Sequence, residues 1–112
     1  MVSVCPRQDE VWLVTLDPTR GSEINKTRPC VVVSPDEMNH YLRTTMIAPM
    51  TTAQRPYPTC VAVTFQGKSG QVALDQLHVV DRDRLVRKLG TISTKTAQLV
   101  SAVLIEMFAR ES

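Results

Sequence analysis

The sequence predicts a mainly β protein in which a small, strongly curved antiparallel sheet packs against one long C-terminal helix. Three observations predict it. Short apolar runs rich in β-branched residues recur through the first half and beyond, bounded by proline, glycine or polar clusters. One segment between them carries the start signals of a short helix. Near the C-terminus, Ala97, Val100, Leu104, Met107 and Phe108 recur at three- and four-residue spacing, the period of an amphipathic helix.

Each element has its own warrant. Val11 to Leu16 is β-branched and aromatic and ends at Asp17-Pro18, so it reads as a strand. Asp17 to Lys26 carries Pro18, Gly21, Ser22 and Asn25 among charges, the composition of a solvated and functionally available loop. Cys30-Val31-Val32-Val33 is apolar on both faces, as a buried central strand requires, with Pro29 expected at its first position. Ser34-Pro35-Asp36-Glu37 supplies a cap residue, a first-turn proline and two early acids, which predicts a helix over Asp36 to Tyr41. Strand character resumes at Met46 to Pro49, followed by Thr51-Thr52 and a loop with Pro56 and Pro58. Cys60 to Phe65 is a further strand, Gly67 to Gly70 a turn, and Gln71 to Ala73 its hairpin partner. Leu85 to Ile92 reads as one more strand, although Asp81 to Leu85 equally fits a helical turn. Ser93 is the expected N-cap of the terminal helix, which runs to Arg110.

With 112 residues and 43% hydrophobic content, the chain is long enough for one core and short for two, so one domain over 1–112 is expected. A net charge of +2 makes the surface only mildly basic and does not by itself indicate nucleic acid. Cys5, Cys30 and Cys60 are odd in number and widely spaced, which fits neither a disulfide framework nor a zinc cluster and points to a reducing cytoplasm. No apolar run approaches the roughly 20 residues of a membrane helix, and the start has no signal-peptide core, so neither membrane nor secretion is expected.

Few residues carry chemistry on their own. His40 and His78 lack a companion nucleophile, and Cys30 and Cys60 sit in apolar strands where buried thiols are ordinary. No phosphate-binding glycine loop, metal spacing or paired-carboxylate motif is present, so no cofactor or metal is expected. Arg28, between a polar loop and a rigid proline, is placed to hold a phosphate through two parallel charge-assisted hydrogen bonds; from spacing alone a structural ion pair or exposed flank is the more ordinary explanation. Thr51-Thr52 offers hydroxyls at a strand end, for phosphate or ribose contacts or simply for capping a turn.

In order, the segments Val11-Trp12-Leu13-Val14, Leu16-Asp17-Pro18-Thr19-Arg20-Gly21-Ser22-Glu23, Thr27-Arg28-Pro29, Val31-Val32-Val33-Ser34-Pro35, Ala48-Pro49-Met50-Thr51-Thr52, Val72-Ala73-Leu74-Asp75-Gln76 and Val79-Val80-Asp81 resemble the MazF/PemK family of toxin endoribonucleases. The resemblance implies an SH3-like small barrel of the CcdB/MazF/Kid type with a short helical insertion and a C-terminal helix. It further implies a two-fold homodimer that cuts single-stranded RNA without a metal, by 2′-hydroxyl attack that leaves a 2′,3′-cyclic phosphate. Arg28 and Thr51 match the family's catalytic pair, while Ser22, Glu23 and Gln76 match substrate-binding positions. Thr52, Tyr57 and Asp75 join them as expected RNA contacts. Tyr57 offers a ring for base stacking or for packing on Pro56 and Pro58, and Asp75 offers a base or an anchor. A cognate antitoxin of the MazE type, threading a disordered acidic segment into the RNA groove, is the implied partner. Ile24-Asn25-Lys26 departs from the glycine-containing family loop, and Ala73 replaces the arginine of the Kid branch. The rival reading on the same fold is a CcdB-like toxin that binds gyrase through its terminal helix, but here that terminus ends in charged residues. Val103 and Phe108 fit either the core or a dimer interface.

Overall fold

The computed structural model describes residues 5–17 and 26–111. The loop 18–25, with Ser22, Glu23 and the Ile24-Asn25 departure, lies outside them. Seven strands, β1 (Glu10–Asp17), β2 (Lys26–Val32), β3 (Thr44–Thr51), β4 (Cys60–Phe65), β5 (Lys68–Ala73), β6 (His78–Asp81) and β7 (Leu85–Thr91), and two helices, α1 (Asp36–Tyr41) and α2 (Thr94–Phe108), account for the expected mainly β fold. The sheet runs β4-β5-β3-β2-β1-β7, with β6 paired to β3 off this path. Its ends are not joined by a ladder, so the barrel is open. They do approach each other, since the Gln66 side-chain amide at the β4-β5 turn donates to the Leu89 carbonyl of β7 at 3.1 Å.

Strand β3 organises the site by changing neighbours along its length. Thr44 to Ile47 pair with β6, Met50 and Thr51 pair with β5, and Ile47 to Pro49 pair with β2 throughout the change. Pro49, which has no N–H to offer, sits where the strand passes from one neighbour to the next. Pro29 obeys the same rule differently from the expectation. It lies inside β2 rather than at its first residue, but the ladder to β3 begins only at Cys30, so one edge of β2 is free there.

Alternation along these strands creates two apolar clusters on opposite faces. Val11, Val31, Ala48, Val61, Val63, Val72 and Leu74 pack with Ile92 and Val100, and α2 lays Ala97, Val103, Leu104 and Met107 against them. Val14, Cys30, Val32, Ile47, Val80 and Leu85 form the second cluster, flanked by Trp12 and Leu16. Burial pushes the Cys30 thiol up to about 12, so it stays protonated and unreactive. Ser93 caps α2 as expected, its hydroxyl accepting from the Thr96 N–H at 3.1 Å. Of the two uses open to Phe108, it does not serve the core of this chain: it is 69% exposed at the end of α2, near Ile105 at 70%.

Two other expectations are corrected. Ser34 does not cap α1, whose N-cap is Pro35. Its hydroxyl is instead buried, donating to Asn39 Oδ1 at 2.5 Å and accepting from the Met46 N–H at 3.0 Å. The β4-β5 turn is tighter than Gly67 to Gly70: Gln66 and Gly67 both have positive φ, the two-residue turn that matches strand twist, and β5 begins at Lys68. The alternatives at 81–92 are both realised, as a 3-10 turn at Arg82–Arg84 and then β7.

Asn39 ties α1 to the sheet. Fully buried, its Oδ1 also accepts from Thr45 Oγ1 at 2.8 Å, its Nδ2 donates to the Ser34 carbonyl at 3.0 Å, and its carbonyl accepts from the Arg82 guanidinium. Asn39→Ala takes the shared acceptor from the Ser34 and Thr45 hydroxyls, which keep only each other at 3.1 Å and so leave one proton without an acceptor, and takes the donor from the Ser34 carbonyl; it should destabilise by about 1–3 kcal/mol. Urea unfolding should show a lower midpoint with an unchanged slope, whereas an unshifted midpoint would mean that water replaces the amide without cost.

Candidate active site

The β2-β3 register pairs Cys30 with Pro49, and continued two residues outward it sets Arg28 opposite Thr51. The ladders on either side extend this line: Val14 lies opposite Arg28 on β1, Gln71 opposite Thr51 on β5, and Ala62 opposite Gln71 on β4. By strand alternation Arg28 keeps the face of Cys30 and Thr51 that of Ile47, and Gln71 is paired directly with Thr51, so all three lie on the face turned away from the main core. All three are half-buried. A polar row at this depth is accessible to a ligand yet held by its neighbours.

Among the described residues, no hydrogen bond or ion pair engages the Arg28 guanidinium, so the ion-pair reading of this arginine finds no described partner. Thr51 Oγ1 accepts from the Ala53 N–H at 3.1 Å, which turns the chain out of β3 while leaving the hydroxyl proton available. Thr51 and exposed Thr52 also border an apolar cleft of about 210 Å³ walled by Pro29, Met50, Val63, Phe65 and Leu89.

The loop after Thr52 folds back over the row. Arg55 binds the Asp75 carboxylate through Nη2 at 2.9 Å and Nη1 at 3.5 Å, and its guanidinium stands 4.9 Å from the centre of the Tyr57 ring. Tyr57 is 53% exposed, so its ring stacks on the arginine while keeping open surface. Asp75 also accepts from Thr59 Oγ1 at 3.1 Å, and the neighbouring Arg55 guanidinium, helped by Thr59, holds its carboxyl below the usual carboxylate range. A carboxylate so engaged is a weak proton acceptor. Gln76 is exposed at the end of the 3-10 turn Leu74–Gln76, and its carbonyl lies 2.9 Å from His78 Nδ1. Of the expected residues, Arg28 stands on β2, Thr51 at the end of β3 with Thr52 next to it, Tyr57 in the 52–59 loop and Asp75 in the 3-10 turn Leu74–Gln76, with Asp75 and Tyr57 both in contact with Arg55. Ser22 and Glu23 lie outside the described residues. Arg55 and Gln71 were not anticipated, because a loop arginine and a strand glutamine have no periodic signature; only the rigid Arg55-Pro56-Tyr57-Pro58 run hinted at a fixed loop.

Since Asp75 has a depressed pKa, the Arg55 pair is fully formed above the ordinary aspartate range and is lost as pH falls through the lower, folded value. An NMR titration should place the Asp75 midpoint below that of an ordinary aspartate. The Arg55→Ala variant should return it toward the ordinary value, and a midpoint unmoved by that change would show that Arg55 is not the cause.

These features converge with comparisons to known proteins. A family model described as the PemK-like, MazF-like toxin of type II toxin-antitoxin systems matches residues 7–108. The chain belongs to this toxin family. The toxin is 36% identical over 95 residues to the endoribonuclease toxin MazF of Escherichia coli K12, covering 84% of this chain and 85% of that protein. It is 32% identical over 112 residues to the endoribonuclease MazF9 of Mycobacterium tuberculosis H37Rv, covering 90% and 95%. A chain from a MazE-MazF crystal structure of Deinococcus radiodurans superposes with a TM-score of 0.83 at 23% identity, covering 97% of the toxin and 100% of that chain, and so shares its fold. Among the described residues of the toxin, no helix is long and apolar enough to cross a membrane, and no group of three His, Cys, Asp or Glu could hold a metal ion.

Proposed function

We propose that this chain is the toxin of a type II toxin–antitoxin pair, a single-domain cytoplasmic endoribonuclease that cuts single-stranded RNA at specific sequences without a metal ion. The observation that carries this reading is that Arg28, without a described counter-ion, and Thr51 lie on the same half-exposed face, each two residues beyond the Cys30-Pro49 pair that ends the β2-β3 ladder. Relatives named endoribonucleases at 32–36% identity support it.

In the proposed reaction the ribose O2′ bonds to the adjacent phosphorus and the bond to O5′ breaks. The 2′-hydroxyl loses its proton and O5′ gains one, which leaves a 2′,3′-cyclic phosphate and a 5′-hydroxyl. Arg28 supplies donors for the phosphoryl oxygens as negative charge gathers on them, and Thr51 orients the phosphate or the attacking ribose. Asp75, already ionised and tied to Arg55, serves as an anchor of the binding loop rather than as the base. Tyr57 stacks an unpaired base on its free face, Thr52 and Gln76 contact the strand nearby, and Ser22 and Glu23 contribute from the β1-β2 loop. A homodimer is proposed, with exposed Ile105 and Phe108 in its interface. The partner is an antitoxin of the MazE type, a class present with MazF in the Deinococcus radiodurans crystals. Its acidic segment would occupy the groove above Arg28.

Incubating the purified protein with mixed-sequence single-stranded RNA in EDTA tests the reading. Discrete cuts bearing 2′,3′-cyclic phosphate ends are expected. Intact RNA beside a folded dimer would overturn it and direct attention to gyrase binding.

A further inference from the structure

We infer that Gln71 is a positioning residue that fixes the middle of the 52–59 loop, and through it the Arg55-Tyr57 platform, for RNA binding; this rests on the reading above. The Gln71 side chain clamps one peptide unit from both sides: Oε1 accepts from the Arg55 N–H at 3.0 Å, and Nε2 donates to the Arg55 carbonyl at 3.0 Å. The ends of the loop are held by other groups. Ala53 is tied to Thr51 Oγ1, the Cys60 N–H donates to the Tyr57 carbonyl at 3.0 Å, and Thr59 is tied to Asp75.

Between those ends, among the described residues, the only backbone tether is Gln71. The Arg55 side chain reaches Asp75, but that pair is partly solvent-exposed and so contributes little by itself to holding the backbone.

The position explains why a glutamine is useful there. Gln71 lies in β5 between Thr51 of β3 and Ala62 of β4, and its backbone satisfies the ladder whatever the side chain is. A half-buried strand site of this kind favours β-branched or aromatic residues. Glutamine offers instead an acceptor and a donor at one tip, which is what capture of a single peptide unit demands. Because Gln71 is the direct cross-strand neighbour of Thr51, the clamp keeps the loop in register with the strand end where Thr51 stands. Loss of the clamp frees the loop without removing any group from the reacting atoms.

Gln71→Leu removes both bonds at similar volume, and Gln71→Glu keeps the acceptor but not the donor. For Gln71→Leu the KM for single-stranded RNA should rise about tenfold with kcat within about threefold of wild type, the pattern of lost binding rather than lost chemistry. Gln71→Glu should fall between, and the range of cleaved sequences should broaden in both. Amide hydrogen exchange gives a readout independent of activity: in Gln71→Leu the Arg55 N–H should lose protection while the ladder amides of β5 keep theirs. An unchanged KM in either folded variant, or an Arg55 amide still protected in folded Gln71→Leu, overturns the inference. Wild-type protein that cuts no RNA overturns the functional reading instead, and the exchange measurement still decides whether the clamp exists.

Discussion

Replacing Arg28 with alanine is expected to lower kcat for RNA cleavage by about 10²–10³-fold while the chain remains folded, the loss typical of one preorganised donor to a developing oxyanion. The separation of activity from stability follows from the position. Arg28 is half-buried at the outer end of β2, beyond the paired stretch with β3; the Cys30 thiol donates only to its backbone carbonyl, and no described side chain hydrogen-bonds its guanidinium. The side chain is therefore held in place by the strand, not by a partner that its removal would strand. Arg28→Lys keeps the charge but replaces a planar fork by a single ammonium, and should recover only part of the rate. Single-turnover cleavage in EDTA, with thermal unfolding of each variant, provides the check. Wild-type kcat in Arg28→Ala would remove this arginine from the chemistry, and equal activity of the lysine variant would reduce its role to net charge.

How much of this was legible in the sequence depended on how local each signal was. The terminal helix was readable because its apolar spacing and the Ser93 cap are properties of neighbouring residues, and α1 appeared with the expected bounds, Asp36–Tyr41. Strand β6 was not read as a strand: its four residues, His78–Asp81, are too few for alternation to show and acquire strand form by pairing with β3. Ser34 was misread for a related reason. Its hydroxyl has a local use as a cap and a distant one beside Asn39, Thr45 and Met46, and burial decided for the distant one. The site divides the same way. Arg28 and Thr51 stand out through their adjoining prolines and the family resemblance, whereas the partnership of Arg55 with Asp75 spans 20 positions and that of Gln71 with Arg55 spans 16. Those pairs exist only once β3, β4 and β5 have assembled.

The same assembly makes Gly70 the most sensitive position in β5. A Cβ placed on it would lie 2.5 Å from the Thr51 carbonyl oxygen and 3.3 Å from the carbonyl carbon, distances no side-chain rotation can relieve because both atoms are backbone. The conflict is steric rather than conformational, since Gly70 is absent from the positive-φ residues. Gly70→Ala must therefore push β5 away from the end of β3. Two consequences follow from one displacement. The Met50-Val72 and Thr51-Gln71 pairs are the whole β3-β5 ladder, so loosening them should destabilise the fold by about 1–3 kcal/mol, the usual cost of overpacking. Thr51 itself moves relative to Arg28, which is held by β2 and does not follow, and a misplacement of about 1 Å between catalytic groups can cost about 10²-fold in rate. Gly70→Ala should thus lose cleavage activity well beyond the fraction unfolded, measured at a temperature where the variant is still native. Ser69→Ala, at the neighbouring exposed position, should leave both rate and stability near wild type and serves as the control. Full activity in folded Gly70→Ala would show that β5 yields without carrying Thr51 with it, and would break the proposed dependence of the site on the close approach of these two strands.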